Sequence, residues 1–546
     1  MDTYQVRKRL NAILPYLLSL IAVWFFWCTA VSTSASRIFS MQTVEPYAFA
    51  VHEQLMFNFA ENGSFFQTIH SGYDDKWTWS GHRALTLPAI AYLYGLNPSA
   101  QWLAQLMISF VAFGALSCGA LVQTVFSSRW GFLWGVLVYC TCPATISLAL
   151  QDYQDLVFAL PFLITAAWLF RLGKWYLTPL AVLFAIAPRE ECVPMALALA
   201  VLFVPYRRNK IAFAPWIVNV VFSFILVGGY VVWAEHYYPI ATSGHDMPLQ
   251  NAVGSLRSGT IFLEGWLYLR RFYAYIWVPL GLFAFFAPWI GLPALALCIL
   301  HMSVPEGHGV DRSWGGHCHH MAPAAAFAVA SIAIGGFRCI QFFRWPWLRT
   351  LLGVVMISWA GWWWYSWSGY YNLILSVTPQ EAEWEHPAWT LAKKLPEDAV
   401  PVVSTLNSIA VSNFPRSYTY DESLYSKERH KGLAVATHMI FDKRKEKVLE
   451  WVERMPGFSI LEEEDVFVLA TWNPRTLDSG VLYRPKFGKK QPYVGSYTKG
   501  SDIPGVPPKE TRIEVRVNGS FPIIQLWKSK TIKGKRKRTP SFRKNP

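Results

Sequence analysis

Long apolar segments follow one another through the first two thirds of the chain. A helix that crosses a bilayer needs roughly 20 mainly apolar residues. The run at 10–33 meets this length, directly after three basic residues at 7–9. Further runs predict ten more crossings, at 102–125, 131–150, 156–170, 175–187, 193–205, 211–234, 272–287, 289–303, 321–337 and 348–366. The pattern therefore predicts an α-helical polytopic membrane protein with about 11 transmembrane helices.

The charges between these runs predict the topology. The segment Ala84–Leu96 is apolar but short and contains Pro88, so we interpret it as an interfacial or re-entrant helix. Basic residues of short loops favour the cytoplasmic side. With Ala84–Leu96 not crossing, the basic loops all fall inside: Arg129, Arg171, Lys174, Arg207, Arg208, Lys210, Arg338, Arg344 and Arg349. We expect a cytoplasmic N-terminus, with loop 34–101 and everything after residue 370 outside.

The pattern changes near residue 370. A helix is predicted over 379–395, strands over 399–404 and 438–441, and a hairpin over 458–470. We expect three parts: a transmembrane domain at 1–370, a small extracytoplasmic α/β domain at 371–473, and an extended basic tail at 474–546. The tail contains one alternating segment that predicts a strand, Thr511–Asn518.

Composition narrows the class of protein. Of 546 residues, 53% are hydrophobic and only 15% charged, which excludes a cytosolic enzyme and a disordered chain. The net charge of +14 is mostly a property of the tail, since residues 509–546 alone carry +10. We expect membrane lipid as a partner, no nucleic acid, and a possible protein partner of residues 474–546. The eight cysteines lie in apolar runs or match no redox spacing, which indicates structural thiols.

Two polar segments outside the spans are candidates for chemistry. In the first outer loop, Glu45 and His52 are seven residues apart and can share one helix face, with Glu53 beside them. A carboxylate here could act as a general base or bind a cation, or the loop could be an ordinary solvated acidic helix. Asp152 and Asp155 lie on one side of a predicted helix start, where the helix dipole alone could explain them.

Two later segments carry further candidates. Arg189 and Glu190 lie at a turn between short apolar runs, where ionisable groups often mark a site. Arg189 could bind a phosphate, or the two could simply pair. His317, His319 and His320 could bind a metal such as zinc, although their spacing matches no standard pattern. Substrate binding or structural hydrogen bonding is the alternative for these histidines, and the cofactor is left as unknown, with a divalent metal possible.

Taken in order, these segments resemble an uncharacterised family of bacterial multipass membrane proteins, domain of unknown function 2079, grouped with the GT-C glycosyltransferases. The resemblance covers about residues 10–472. The segments that carry it are Glu45–Gln54, Gly81–His82 with Leu87–Leu96, Gln151–Asp155, Arg189–Glu190, His319–Pro323 and Leu395–Ala399. The sequence departs from the family at Glu45, where an Asp is usual, and at Gln154, where a His is expected.

The resemblance implies a GT-C-like fold and a membrane glycosyltransferase that uses a polyprenyl-phosphate-linked sugar at the outer face of the bacterial inner membrane. Glu45 would then be the general base or help to hold a cation, Asp152 and Glu190 would shape the polar cavity, and Arg189 would hold the phosphate. The remaining candidates for substrate binding are His52, Glu53, His82, Arg83, Asp155 and His319. The alternative is a non-catalytic GT-C-fold subunit that binds a membrane protein assembly through its outer loops and tail. A transporter is disfavoured by the few polar residues within the spans.

Overall fold

The structure is a computed structural model, and it is mostly helical. It describes residues 3–41, 46–63, 65, 69, 84–207, 210–237, 281–302, 322–367, 385–414, 417–420, 436–445, 448 and 458–471. The helices are α1 (Thr3–Phe39), α2 (Pro46–Asn62), α3 (Thr86–Tyr94), α4 (Ala100–Phe126), α5 (Arg129–Thr141), α6 (Pro143–Ala149), α7 (Ala159–Leu172), α8 (Thr178–Ile186), α9 (Val193–Leu202), α10 (Phe213–Tyr237), α11 (Pro288–Met302), α12 (Ala322–Phe342), α13 (Pro346–Trp367) and α14 (Pro387–Ala392).

Five described stretches are helical, long and apolar enough to cross a membrane. They are Ala12–Phe39, Ala100–Phe126, Asp155–Leu172, Phe213–Trp233 and Ala322–Phe342. The run at 131–150 is broken into α5 and α6, because Pro143 suits the first turn of a new helix but not the interior of an old one. The runs at 175–187 and 193–205 form only the short helices α8 and α9. The membrane class is thus established, while the count of 11 crossings stays a prediction.

Close packing between α4 and α5 depends on glycines that face each other. A side-chain carbon added at Gly119 would come within 2.7 Å of the Phe132 carbonyl oxygen, and one added at Gly135 within 2.7 Å of the Cys118 carbonyl oxygen. Small residues at such a crossing let two backbones approach, which is how helices associate where the surrounding lipid is as apolar as the side chains. Apolar side chains of α1 and α10 are instead largely exposed, as expected of lipid-facing helices.

A five-stranded sheet follows the helices. Its strands are β3 (Pro401–Ser404), β4 (Tyr418–Tyr420), β5 (His438–Asp442), β6 (Ser459–Glu464) and β7 (Phe467–Thr471), in the order β4-β3-β5-β7-β6. β3 is parallel to both its neighbours, β4 and β5. β7 is antiparallel to both its neighbours, β5 and β6. A separate two-stranded hairpin, β1 (Tyr206–Arg207) and β2 (Lys210–Ile211), joins α9 to α10.

The sequence located most of this sheet. β3 lies within the strand predicted over 399–404, and β5 covers the strand predicted over 438–441. The predicted hairpin over 458–470 corresponds to β6 and β7, which turn at Asp465, whose φ of 55° suits a tight turn. β4 was not predicted, since three residues are too few to show an alternating pattern. The described part of the predicted helix 379–395 is helical only over Pro387–Ala392; residues 371–384 lie outside the described residues. The proposed domain boundaries stay predictions.

The sheet region docks against the end of the first span. The Trp389 indole donates to the Ile38 carbonyl oxygen at 3.1 Å, and the His386 backbone N–H donates to the Phe39 carbonyl oxygen at 3.1 Å. The sheet and the helix that follows the first span therefore lie on the same side of the helical bundle. An even number of crossings between two segments places them on the same side, so the ten crossings predicted between α2 and the sheet are consistent with this arrangement.

Candidate functional site

Helix α2 holds a histidine against the loop that precedes α7. His52 and Asp155 are buried, and His52 Nε2 lies 3.7 Å from Asp155 Oδ2. The other ring nitrogen, Nδ1, lies 2.8 Å from the Ala48 carbonyl oxygen one turn back, and the ring packs at 5.3 Å against Tyr153. Burial lowers the pKa of His52, but the Asp155 carboxylate and these hydrogen bonds outweigh it, so the pKa is raised. The pair can therefore hold a proton at Nε2 in a position shielded from water.

The acidic run before α7 is buried throughout. Gln151, Asp152, Tyr153, Gln154 and Asp155 are all buried between α6 and α7. Burial, followed by the nearby charge of Asp155, raises the pKa of the Tyr153 hydroxyl, so this side chain stays neutral. The sequence predicts a helix start at Asp152 and Asp155. In the structure only Asp155 begins a helix, a short 3₁₀ helix that leads into α7.

Arg189 lies at the turn between α8 and α9. Its side chain is only 6% exposed, and its Nε lies 3.8 Å from an oxygen of Glu191, a side chain that is 40% exposed. Within the part of the chain that the structure describes, Arg189 Nε has no hydrogen-bond partner. Its charge reaches His52, where it lowers the pKa and so opposes Asp155. A buried guanidinium with a spare donor thus lies beside the His52–Asp155 pair, and Glu190 is half-buried next to it.

Glu53 points away from this pair, towards α3 and the sheet region. It is 2% exposed, and it lies close to two hydroxyls: Tyr94 Oη at 3.2 Å and Ser412 Oγ. Burial raises the pKa of Glu53 to about 7 against these hydrogen bonds, which lower it. Ser412 Oγ also lies 2.8 Å from the Ile409 carbonyl oxygen. One hydroxyl proton cannot serve two acceptors, so a protonated Glu53 that donates to Ser412, with Ser412 donating to Ile409, satisfies all the groups.

Gln54 and Arg37 were missed by the sequence analysis. The Gln54 amide donates to the Phe414 carbonyl oxygen at 3.1 Å and to Ser417 Oγ at 2.9 Å, and its oxygen accepts from the Ile69 backbone N–H at 3.2 Å. Arg37, at the end of the first span, donates to the Leu150 carbonyl oxygen at 2.7 Å. Arg37 could have been identified from the sequence, because it is a charged residue just after an apolar run. The signal for Gln54 was its place as the last residue of the Glu45–Gln54 segment that resembles the family.

Several expected site residues lie outside the described residues. These are Glu45, His82, Arg83, His317, His319 and His320. The structure brings together His52, Asp155 and Arg189 of the expected set, and it places Asp152 and Glu190 next to them in the chain. Within the described ranges, no group of three or more His, Cys, Asp or Glu side chains could hold a metal ion.

Comparison with known proteins identifies the family. A family model described as a predicted membrane protein, DUF2079, matches residues 37–373, which include every described site residue on the membrane side. The chain belongs to the DUF2079 family of predicted membrane proteins. The matched range also includes the expected site residues outside the described part of the chain: Glu45, His82, Arg83, His317, His319 and His320. No curated protein matches the chain.

The chain also shows a low similarity to solved structures. One is ArnT from Cupriavidus metallidurans bound to undecaprenyl phosphate, with 11% identity and a TM-score of 0.48 over 84% of this chain and 98% of that one. Another is the oligosaccharyltransferase AglB from Archaeoglobus fulgidus in complex with an inhibitory peptide and a dolichol-phosphate, with 9% identity and a TM-score of 0.37 over 85% and 74%. At these scores, the chemistry of this chain has to come from its own residues.

Proposed function

We propose that this chain is a membrane glycosyltransferase of the GT-C type that takes a sugar from a polyprenyl-phosphate carrier at the outer face of the bacterial inner membrane. The observation that carries the proposal is the buried Arg189 beside the buried His52–Asp155 pair, with a guanidinium donor, Nε, that has no hydrogen-bond partner among the described residues. The resemblance of the sequence to GT-C proteins supplies the class of donor.

A phosphate is the ligand that best suits Arg189. An isolated buried charge costs several kcal/mol unless it is paired. Glu191 is a weak partner, because it is half-exposed and 3.8 Å away. A phosphate offers a guanidinium two parallel hydrogen bonds and a full opposing charge. A protonated His52 would add to the attraction, and Asp155 would keep the ring in place.

The remaining roles are those that the resemblance to the family implies. Glu45 directly precedes α2 in the sequence, and the family resemblance makes it the candidate for the general base that activates an acceptor hydroxyl or for a cation ligand. Asp152 and Glu190 would line the polar cavity. His317, His319 and His320, which precede α12 in the sequence, are the candidate ligands of a divalent cation. The 11 crossings, the cytoplasmic N-terminus and the extracytoplasmic sheet region belong to the same proposal.

Lipid binding gives the direct test. Purified Arg189→Gln protein should bind undecaprenyl phosphate roughly ten- to a hundred-fold more weakly than the wild type, because a hydrogen bond to a charged group is worth about 1.5–3 kcal/mol. Native mass spectrometry in mild detergent measures the binding. Arg129→Gln is the matched control, since Arg129 is an exposed arginine at the start of α5. Equal binding by both variants would contradict the assignment of Arg189 to the phosphate.

Catalysis needs a separate test. Glu45→Gln keeps the size of the side chain but removes its basic carboxylate, so a general-base role predicts a roughly 10²–10⁴-fold slower chemical step. The assay is the glycan profile of cells that carry each variant, beside the amount of protein in the membrane. Glu61→Gln, an exposed residue of α2, is the control. A normal profile at normal abundance for Glu45→Gln would favour the non-catalytic subunit, which predicts a stoichiometric partner that needs residues 474–546.

A further inference from the structure

His52 has both of its ring nitrogens next to protein acceptors. Nδ1 lies 2.8 Å from the Ala48 carbonyl oxygen, and because a carbonyl oxygen can only accept a hydrogen bond, Nδ1 carries a proton. Nε2 lies 3.7 Å from Asp155 Oδ2. A neutral ring with its proton on Nδ1 would direct the lone pair of Nε2 at this carboxylate, so two acceptors would face each other. A second proton, on Nε2, removes the conflict and leaves His52 as a cation paired with Asp155.

Two elements supply the ionisable groups around this proton. The run before α7 supplies Asp155 and the neutral Tyr153, whose ring lies 5.3 Å from that of His52. The turn between α8 and α9 supplies Arg189, whose charge opposes a charge on His52. The acidic residues that adjoin these groups in the chain are Asp152, Glu190 and Glu191. The site therefore holds two buried cations, His52 and Arg189, when the proton is present.

The proton decides how much positive charge the site offers to a ligand. With the proton in place, the charges of His52 and Asp155 offset each other, and the buried guanidinium of Arg189 attracts an anion from outside the protein. Without it, the pair carries the negative charge of Asp155, which offsets the charge of Arg189 and repels an anion. Charges interact strongly where water is excluded, so this difference is larger in a buried site than at the surface.

We propose that the proton held between His52 and Asp155 controls the binding of a phosphate at Arg189: the site binds the anion while the proton is held and loses affinity when the proton leaves. His52 is then a positioning residue that acts through its charge. It is not the base that takes a proton from an acceptor, since both of its ring nitrogens face protein acceptors. This inference rests on the proposed function, in which a phosphate is the ligand of Arg189.

The pH dependence of lipid binding tests the proposal. Burial lowers the pKa of His52, but the Asp155 carboxylate outweighs it and raises the pKa above the usual 6.5. Affinity should therefore be full below pH 6.5 and fall as the pH rises through the raised value. The probe is undecaprenyl methyl phosphate, a phosphodiester whose single negative charge does not change with pH. Titration calorimetry of the full-length protein in mild detergent should show binding at least roughly five-fold weaker at pH 9 than at pH 6.

Two results separate this inference from the proposed function. Equal affinity for the phosphodiester at pH 6 and pH 9 would overturn the inference and leave the proposed function standing. If neither this lipid nor undecaprenyl phosphate bound at either pH, the proposed function would be contradicted, and the inference that rests on it would be overturned as well.

Adjacent residues of α2 provide the matched variants. His52→Gln should bind the phosphodiester equally weakly at both pH values, as the wild type does at pH 9. Glu53→Gln is the control, because Glu53 also titrates in this range, with a pKa of about 7, but points towards α3 and Ser412. This variant should keep the pH dependence of the wild type. Loss of the dependence in Glu53→Gln, or its survival in His52→Gln, would overturn the proposal.

Proton uptake gives a second measurement that needs no variant. Calorimetry of the wild type at pH 7.5, in buffers of different ionisation enthalpy, should show that binding of the phosphodiester takes up protons from the buffer. The reason is that the effects of the proton and of the anion on each other's binding are reciprocal. Binding with no proton uptake, or with proton release, would overturn the proposal.

Discussion

Replacing Glu53 by glutamine should stabilise the protein at alkaline pH and flatten its dependence on pH. The pKa of the buried Glu53 is raised from 4.5 to about 7, mainly by burial. Below pH 4.5 the carboxyl is protonated in both the folded and the unfolded chain, and its contribution to stability is fully present. As the pH rises from 4.5 to 7, the unfolded chain loses the proton more readily than the folded one, so the stability falls. Above pH 7 the loss is complete.

The size of this effect follows from the size of the shift. One pKa unit corresponds to about 1.4 kcal/mol, so the full loss between pH 4.5 and 7 is about 3 kcal/mol. Glutamine has the shape of the protonated acid and stays neutral at every pH. Its amide can replace the proton donated to Ser412, at a cost of about 1 kcal/mol for an imperfect hydrogen bond. Glu53→Gln should therefore be about 2 kcal/mol more stable than the wild type at pH 8 and slightly less stable at pH 5.

The assay is the temperature at which half of the detergent-purified protein is lost from the monodisperse chromatography peak. It is measured at pH 5 and pH 8 for the wild type, Glu53→Gln and Glu61→Gln. Glu61 lies on the same helix but is exposed, so its variant should follow the wild type at both pH values. If Glu53→Gln melted below the wild type by the same amount at both pH values, Glu53 would be ionised in the folded protein and the reasoning would be refuted.

Two further predictions concern packing and topology. Gly335→Ala should destabilise the protein by about 1–3 kcal/mol or more, because the added methyl group would overlap the Phe283 carbonyl oxygen; Gly228→Ala in α10, where no atom lies within 4 Å, should be neutral or slightly stabilising in the same melting assay. Cysteines introduced at Ser64 and at Ser423 should both react with a membrane-impermeant reagent added from outside the cell, and a cytoplasmic location of either would contradict the 11-crossing topology.

The helices were predictable because their signal is local. An apolar run of sufficient length shows in the sequence whatever packs around it, so α1, α4, α7, α10 and α12 fall on predicted runs. The breaks within runs are harder to see, since Pro143 can either kink a helix or begin a new one. β4 is held in place by its pairing with β3, and three residues give no local pattern that would reveal it.

The candidate site was predictable in its residue types but not in its burial. His52 was identified from its spacing to Glu45, Asp155 from its place at a predicted helix start, and Arg189 from its charge between apolar runs. The structure brings these three residues together. Glu53 has the same local sequence character as an exposed glutamate, yet it is buried against Tyr94 and Ser412. Ser412 is about 360 residues away in the chain, so nothing near Glu53 in the sequence could indicate this partner.

The three consecutive polar residues of α2 explain why the sheet region belongs to the site. Successive side chains of an α-helix point about 100° apart, so His52, Glu53 and Gln54 necessarily face three directions. All three are buried, which requires that α2 be enclosed on each of these sides. The run before α7 covers the side of His52, and α3 with Ser412 covers the side of Glu53. Phe414 and Ser417 cover the side of Gln54. Two of the three sides thus depend on residues beyond 400, so removal of the sheet region would expose the helix that positions His52 against Asp155.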